Sequence, residues 1–395
     1  MRKGLSYLEV LIAAGIALIG MLGAIAILPV ATMNMRRGQQ VDVMAAIGPS
    51  ALESVGAMHV PEPSWWMTSV GGAIVEVENP SYAPRPTFQG RKIHPAVQPY
   101  DALCFDPRYV AQVTTWDASQ NDPTMFPAIP METPLDARMR RMTLAGNSVG
   151  SPKPPMTTAH ARLLFKSQDD LIFERPEGNL GGVSGETLPA RQFFISGSTG
   201  ANQRRDYMAD FEFVITAMPT TEFEDRTGSP VYNRANVAFH STGIYDIAAV
   251  VFNGRTPDLS TILTYNGDPS FTEEERLCNV AFFGAGYNGG DVTVSLRPGR
   301  PESDLNIVQS TWALVSGVQA VTRQAPPTAP PGSPPAIGQR PVFQWYRVTQ
   351  FSELYGGNSR DLTLDGPDWF PNTSNLRITF VSGVVGVFTD RMTIK

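Results

Sequence analysis

The chain has 395 residues, 17% of them charged, and a net charge of −6. That balance gives no electrostatic basis for binding nucleic acid, and two cysteines exclude a disulfide-stapled scaffold and a four-cysteine zinc site. With 35 glycines and 34 prolines spread along its length, the chain is expected to be rich in turns and loops.

The N-terminus opens Met1-Arg2-Lys3-Gly4-Leu5-Ser6-Tyr7-Leu8-Glu9, and an uncharged run follows from Val10 to Val30. As a helix this run is about 30 Å long, enough to cross a bilayer. Gly15, Gly20, Gly23 and Ala24 would let other helices approach closely. A secretory signal peptide also has a basic start and an apolar stretch, but its apolar core is shorter. It also gains nothing from a carboxylate at its head, where Glu9 stands. A carboxylate at the edge of a membrane span is costly and marks function by default. Arg2 and Lys3 favour a cytoplasmic leader, while Arg36 and Arg37 pull the opposite way.

Apolar positions Val41, Met44, Ala45 and Ile47 continue at helical spacing. Gly48-Pro49 is expected to interrupt the helix, with Ser50 capping a short continuation. From about residue 57 the pattern changes to short strands bounded by turn residues. Predicted strands include Ala73–Val77, Leu163–Phe165, Leu171–Phe173, Phe211–Thr216 with one buried face, and Ile247–Phe252. Val292–Leu296, Phe343–Val348, Arg377–Val381 and Val384–Phe388 follow. Arg138 to Thr143 reads as helical and basic, a solvated patch like Arg204-Arg205. Residues 324–341 form a Pro-rich loop, and Pro80 to Pro134 is a second loop-rich region.

The residues Gly4 and Leu5-Ser6-Tyr7-Leu8-Glu9-Val10-Leu11-Ile12-Ala13 resemble the N-terminal motif of type IV prepilins and type II secretion pseudopilins, closest to the minor-pilin branch. The resemblance implies that prepilin peptidase cuts after Gly4 and methylates Leu5, where Phe is the usual residue. It implies that Glu9, the fifth mature residue, pairs with the free amine of a neighbouring subunit. It further implies a minor pilin or pseudopilin, not an enzyme, carried in a single pass by the inner membrane. The head would lie outside the cytoplasm, and the partners would be the peptidase and other subunits. The segments Tyr245–Phe252 and Gly383–Phe388 resemble large prepilin-type proteins less specifically. The alternative is a membrane-anchored or secreted β-domain acting as an adhesin or hydrolase.

The expected fold class is α+β: a long N-terminal transmembrane helix, then a large β-rich head with extended loops. The expected divisions are a cleaved leader 1–4, a helix 5–56 spanning the membrane over about 10–30, and a head 57–395. Two motifs resemble enzyme signatures in sequence only. Gly146-Asn147-Ser148-Val149-Gly150 fits a nucleophile elbow, but Ser151-Pro152-Lys153-Pro154-Pro155 forbids the following helix. Gly284-Ala285-Gly286-Tyr287-Asn288-Gly289 fits a dinucleotide fingerprint, but a strand follows it, so a hairpin turn is the better reading. His59, His94, His160 and His240 are scattered, and no metal or cofactor is expected. Asp365-Gly366-Pro367-Asp368 and Asn266-Gly267-Asp268 read as turns rather than Ca²⁺ loops. Cys104 and Cys278 are either a disulfide closing a long loop, worth roughly 4–5 kcal/mol, or two free buried thiols.

Overall fold

The computed structural model describes residues 7–70, 73–79, 101–110, 124–128, 137–146, 153–165, 211–219, 244–255, 275–283, 288–323, 336–370 and 373–394. Two compact units divide the chain, 1–47 and 48–395. Helix α1, Tyr7–Ala57, is a single element of 51 residues. Within α1 the side chains at 7–10, 13, 19–20, 22–30, 33–34, 36–37 and 39–40 lie outside the described residues. Among the described residues no helix is long and apolar enough to cross a membrane. The expected transmembrane helix over 10–30 is corrected accordingly. The span was read from a local apolar run. Helical backbone does not follow hydropathy, and the helix carries on through Arg36, Arg37, Gly48 and Pro49, without the one bond that the Pro49 nitrogen cannot donate.

The α+β class is corrected as well. Beyond α1 the described helices are short: α2, Pro107–Val110, α3, Thr158–Phe165, and two 3₁₀ turns at Pro63–Trp65 and Glu302–Leu305. Strands build the body. The first group is β1 (Trp66–Val70), β2 (Ala73–Glu76), β3 (Leu103–Phe105), β4 (Met125–Phe126), β5 (Met139–Leu144), β6 (Phe211–Pro219) and β7 (Ile244–Asn253). The second is β8 (Glu275–Phe283), β9 (Gly289–Ser295), β10 (Trp312–Arg323), β11 (Ala336–Phe351), β12 (Ser359–Asp365) and β13 (Thr373–Val381), followed by β14 (Val384–Thr393).

An eight-stranded sheet runs β14-β7-β6-β3-β5-β1-β2, with β4 on β5. Among the described residues only β3 and β5 pair in parallel. Strands β10-β11-β12-β9-β8-β13 close into a barrel, which leaves no free edge around its circumference. In chain order the barrel is an insertion between β7 and β14. The chain leaves the sheet after Asn253 and returns at Val384, where β14 pairs with β7 from Val384↔Phe252 to Thr393↔Ile244. The two apolar segments singled out in the sequence, 245–252 and 383–388, are thus largely one antiparallel pair.

Several local expectations change for tertiary reasons. The segment expected to be a basic helix is β5, flanked by β1 and β3, with Met139, Met142 and Leu144 buried. Leu163–Phe165 is the end of α3, and Phe165 packs on Phe213 with ring centroids 5.3 Å apart. That contact helps bury β6 on both faces rather than one. Leu171–Phe173 lies outside the described residues. Of the Pro-rich loop, 324–335 lies outside them too, whereas Ala336–Pro341 is strand paired to Val318–Arg323 of β10. Pro341 is tolerated there because β12 joins β11 only from Arg347 onward, so no second ladder needs its missing donor. Gly48 does not end α1. A Cβ at this position would overlap the ring of Phe388 on β14, so glycine lets the helix lie close on the sheet. Ala51 and Val55, further along the helix, are buried.

Candidate functional site

The residues that carry the sequence motif are only partly placed. Gly4 and Leu5 lie outside the described residues. Glu9 is in α1, and its side chain lies outside them. The enzyme-like motifs fare similarly: 147–150 and 284–287 are outside, while Asn288, Gly289 and Gly290 lead into β9 with positive φ. Strands β8 and β9 pair antiparallel across that segment, Phe283 facing Asp291, as a hairpin requires.

His94, His240 and Asn266–Asp268 are also outside. His59 stacks on Trp65 at 4.2 Å with Nδ1 3.2 Å from Glu62, and His160 sits in α3. Asp368 accepts a hydrogen bond from the Asn288 amide at 2.9 Å. Among the described residues no group of His, Cys, Asp and Glu is arranged to hold a metal.

The most concentrated chemistry in the described chain is a buried ion network that sequence reasoning missed. Arg141 on β5 is fully enclosed. It donates through Nη1 to Asp106, through Nη2 to Glu275 and through Nε to the Met125 carbonyl at 2.9 Å. Arg255 donates to both oxygens of Asp106, at 3.1 and 2.6 Å, and its Nη1 lies 3.6 Å from Glu212. The second oxygen of Glu275 accepts the Ala128 amide at 2.8 Å. Aromatic faces wall the two cations: Phe126 lies 5.1 Å from the Arg141 guanidinium carbon and Phe252 4.7 Å from that of Arg255.

The elements explain the convergence. Asp106 follows β3, Arg255 follows β7, Glu212 begins β6 and Glu275 begins β8, so strand ends from both sheets meet around Arg141. Arg140, one residue earlier, alternates to the other face and pairs with Asp101 at 3.6 Å. The only sequence signal was a charge set directly against an apolar strand, as in Leu103–Asp106 and Phe211–Phe213. No member of the network is more than 6% exposed, so it presents no reacting group to solvent. Its electrostatic gain is nearly cancelled by desolvation, whereas each large apolar side chain buried contributes about 1.5–3 kcal/mol. The hydrophobic core stabilises the body, and the network gathers charged strand ends from the sheet and the barrel into one buried site.

Both cysteines are buried free thiols, not a disulfide. Cys104 is on β3 of the sheet and Cys278 on β8 of the barrel, paired to Thr216 and Ile378 respectively. Burial pushes the Cys104 thiol far above its ordinary range, with Arg141 pulling it back and Asp106 adding to the rise. Burial also pushes Cys278 up to about 12, Asp304 adding and Arg276 opposing. Neither forms a thiolate at neutral pH, so both are poor nucleophiles. The expected result with a thiol-specific reagent is two titratable thiols after denaturation without reductant and negligible labelling of the native protein. Finding no thiols in the denatured chain would show a disulfide instead.

No protein-family model matches the chain, and comparison with curated proteins and with solved structures gave no match to either.

Proposed function

We propose that the chain is a minor pilin-like or pseudopilin-like structural subunit, processed by prepilin peptidase after Gly4 and joined to neighbouring subunits through its N-terminal helix. The observation that carries this reading is the spacing of a short basic leader, Gly4, Leu5 and Glu9 at the head of a helix that begins by Tyr7 and continues to Ala57. A charge at a fixed position in an otherwise apolar helix start selects one register among many, because only one offset supplies its counter-charge. Head-to-tail repetition of such a contact builds an open filament. The leader is presented at the inner membrane, where the peptidase works, and the β-built body lies beyond the cytoplasm. A body of about 350 residues favours a low-copy position, since close helical packing of many subunits leaves little room for it.

The test is co-expression with a prepilin peptidase, followed by intact-mass measurement and N-terminal sequencing. The expected mature chain begins at Leu5 with one added methyl group. A chain that keeps Met1–Gly4 in the presence of active peptidase, or that is cut elsewhere, overturns the reading.

A further inference from the structure

We propose that the buried ion network is a latch that fixes the angle at which the inserted β8–β13 barrel docks on the sheet, about a hinge formed by Gly254 and Gly383. This inference is independent of the filament reading. The chain crosses between the two parts at two places, and they are side by side: the Asn253 amide donates to the Gly383 carbonyl at 2.8 Å. Each crossing carries a glycine at positive φ, 72° at Gly254 and 78° at Gly383. Such positions turn the chain sharply at low steric cost.

Next to the first crossing, Arg255 is held in a two-point grip by Asp106 of the sheet. At the start of the first barrel strand, Glu275 is held by Arg141 Nη2 and the Ala128 amide of the sheet side. Glu212 on β6 and the Cys104 thiol on β3 also lie beside these charges. The rest of the seam is mostly apolar. Phe126 and Trp345 lie 6.5 Å apart, the Phe343 amide meets the Met218 sulfur at 3.2 Å, and the Trp345 indole donates to Thr216 at 3.2 Å. Apolar burial is non-directional and accepts a range of docking angles. A guanidinium fork on carboxylates accepts a narrow one. The latch therefore selects one angle from those the apolar seam permits.

The test is native-state hydrogen exchange on the full chain carrying Glu275→Gln, which keeps shape and removes charge. Seam groups that make no bond to Glu275, the Phe343 amide and the Trp345 indole N–H, are expected to exchange at least about tenfold faster as the seam opens locally. Amides inside each part, Ile215 and Val250 in the sheet and Leu277 and Thr379 in the barrel, keep their protection. Acceleration by one common factor everywhere overturns the latch, because it reports global destabilisation. Acceleration confined to the Ala128 amide also overturns it, because it reports only a lost local bond. Should Glu275→Gln fail to fold, Arg141→Lys keeps the charge without the fork, and the same pattern at Phe343 and Trp345 decides.

Discussion

Arg141→Met is expected to lower unfolding free energy by about 3–5 kcal/mol, the cost of leaving buried carboxylates without their cation. Asp106 keeps Arg255 as a partner, but Glu275 loses the one guanidinium that contacts it among the described residues, and the Met125 carbonyl loses the Arg141 Nε donor. The Met side chain fills most of the volume, so the loss reports charge rather than a cavity. Urea unfolding followed by tryptophan fluorescence measures it, with Arg140→Met as the comparison. That neighbouring arginine faces Asp101 at 3.6 Å in a partly exposed pair, and its removal is expected to cost under about 1 kcal/mol. Adding Glu275→Leu to Arg141→Met should recover part of the loss, since the uncompensated carboxylate is then gone. A cost at Arg141 no greater than at Arg140 would show that the network is not held as tightly as its geometry implies.

Gly289→Ala is expected to cost about 2–4 kcal/mol by adding backbone strain and a steric clash at the same residue. Its φ is +87°, and a Cβ would run into the Leu364 carbonyl, whose carbon would lie 2.7 Å away, with the Asp365 nitrogen at 3.1 Å. Those contacts are backbone atoms of β12, to which β9 is paired from Gly289↔Asp365 onward, so neither side can yield without opening the barrel seam. Gly357→Ala separates the two causes. Its φ is +71°, and nothing lies within 4 Å of the added carbon, so it pays strain alone, about 1 kcal/mol. Equal midpoints for the two variants in urea would show that the strand gives way and that the close approach is not rigid.

The barrel that encloses Gly289 was partly legible. Val292–Leu296, Phe343–Val348 and Arg377–Val381 were recognised as strands because alternation and β-branched content are local properties. The β8–β9 hairpin was legible because a strand, not a helix, follows the glycines. Two misreadings share one cause. Arg138–Thr143 looked like a basic helix because its three arginines suggested a solvated face. Leu163–Phe165 looked like a strand because a short apolar run has no period of its own. Each was settled by what packs against it: β1 and β3 on either side of β5, and Phe213 against Phe165. The extent of α1 was likewise misjudged at Gly48, where a supposed helix breaker is the place that lets Phe388 approach.

The spacing of Gly4, Leu5 and Glu9 is a property of the residue order by itself, because it is defined along the chain and needs no partner in space; the processing proposed for these residues is decided by the peptidase experiment. Strand segments with clear alternation, Val292–Leu296 and Arg377–Val381 among them, were readable because alternation is also local. The tertiary structure alone decided that a six-stranded barrel is inserted between β7 and β14, that the two cysteines sit as separate thiols, and that five charged residues share one buried site. Arg141 and Glu275 are 134 positions apart, and Arg255 and Asp106 are 149 apart. A buried charge is defined by a partner brought to it through strand pairing, and no local pattern records who that partner is.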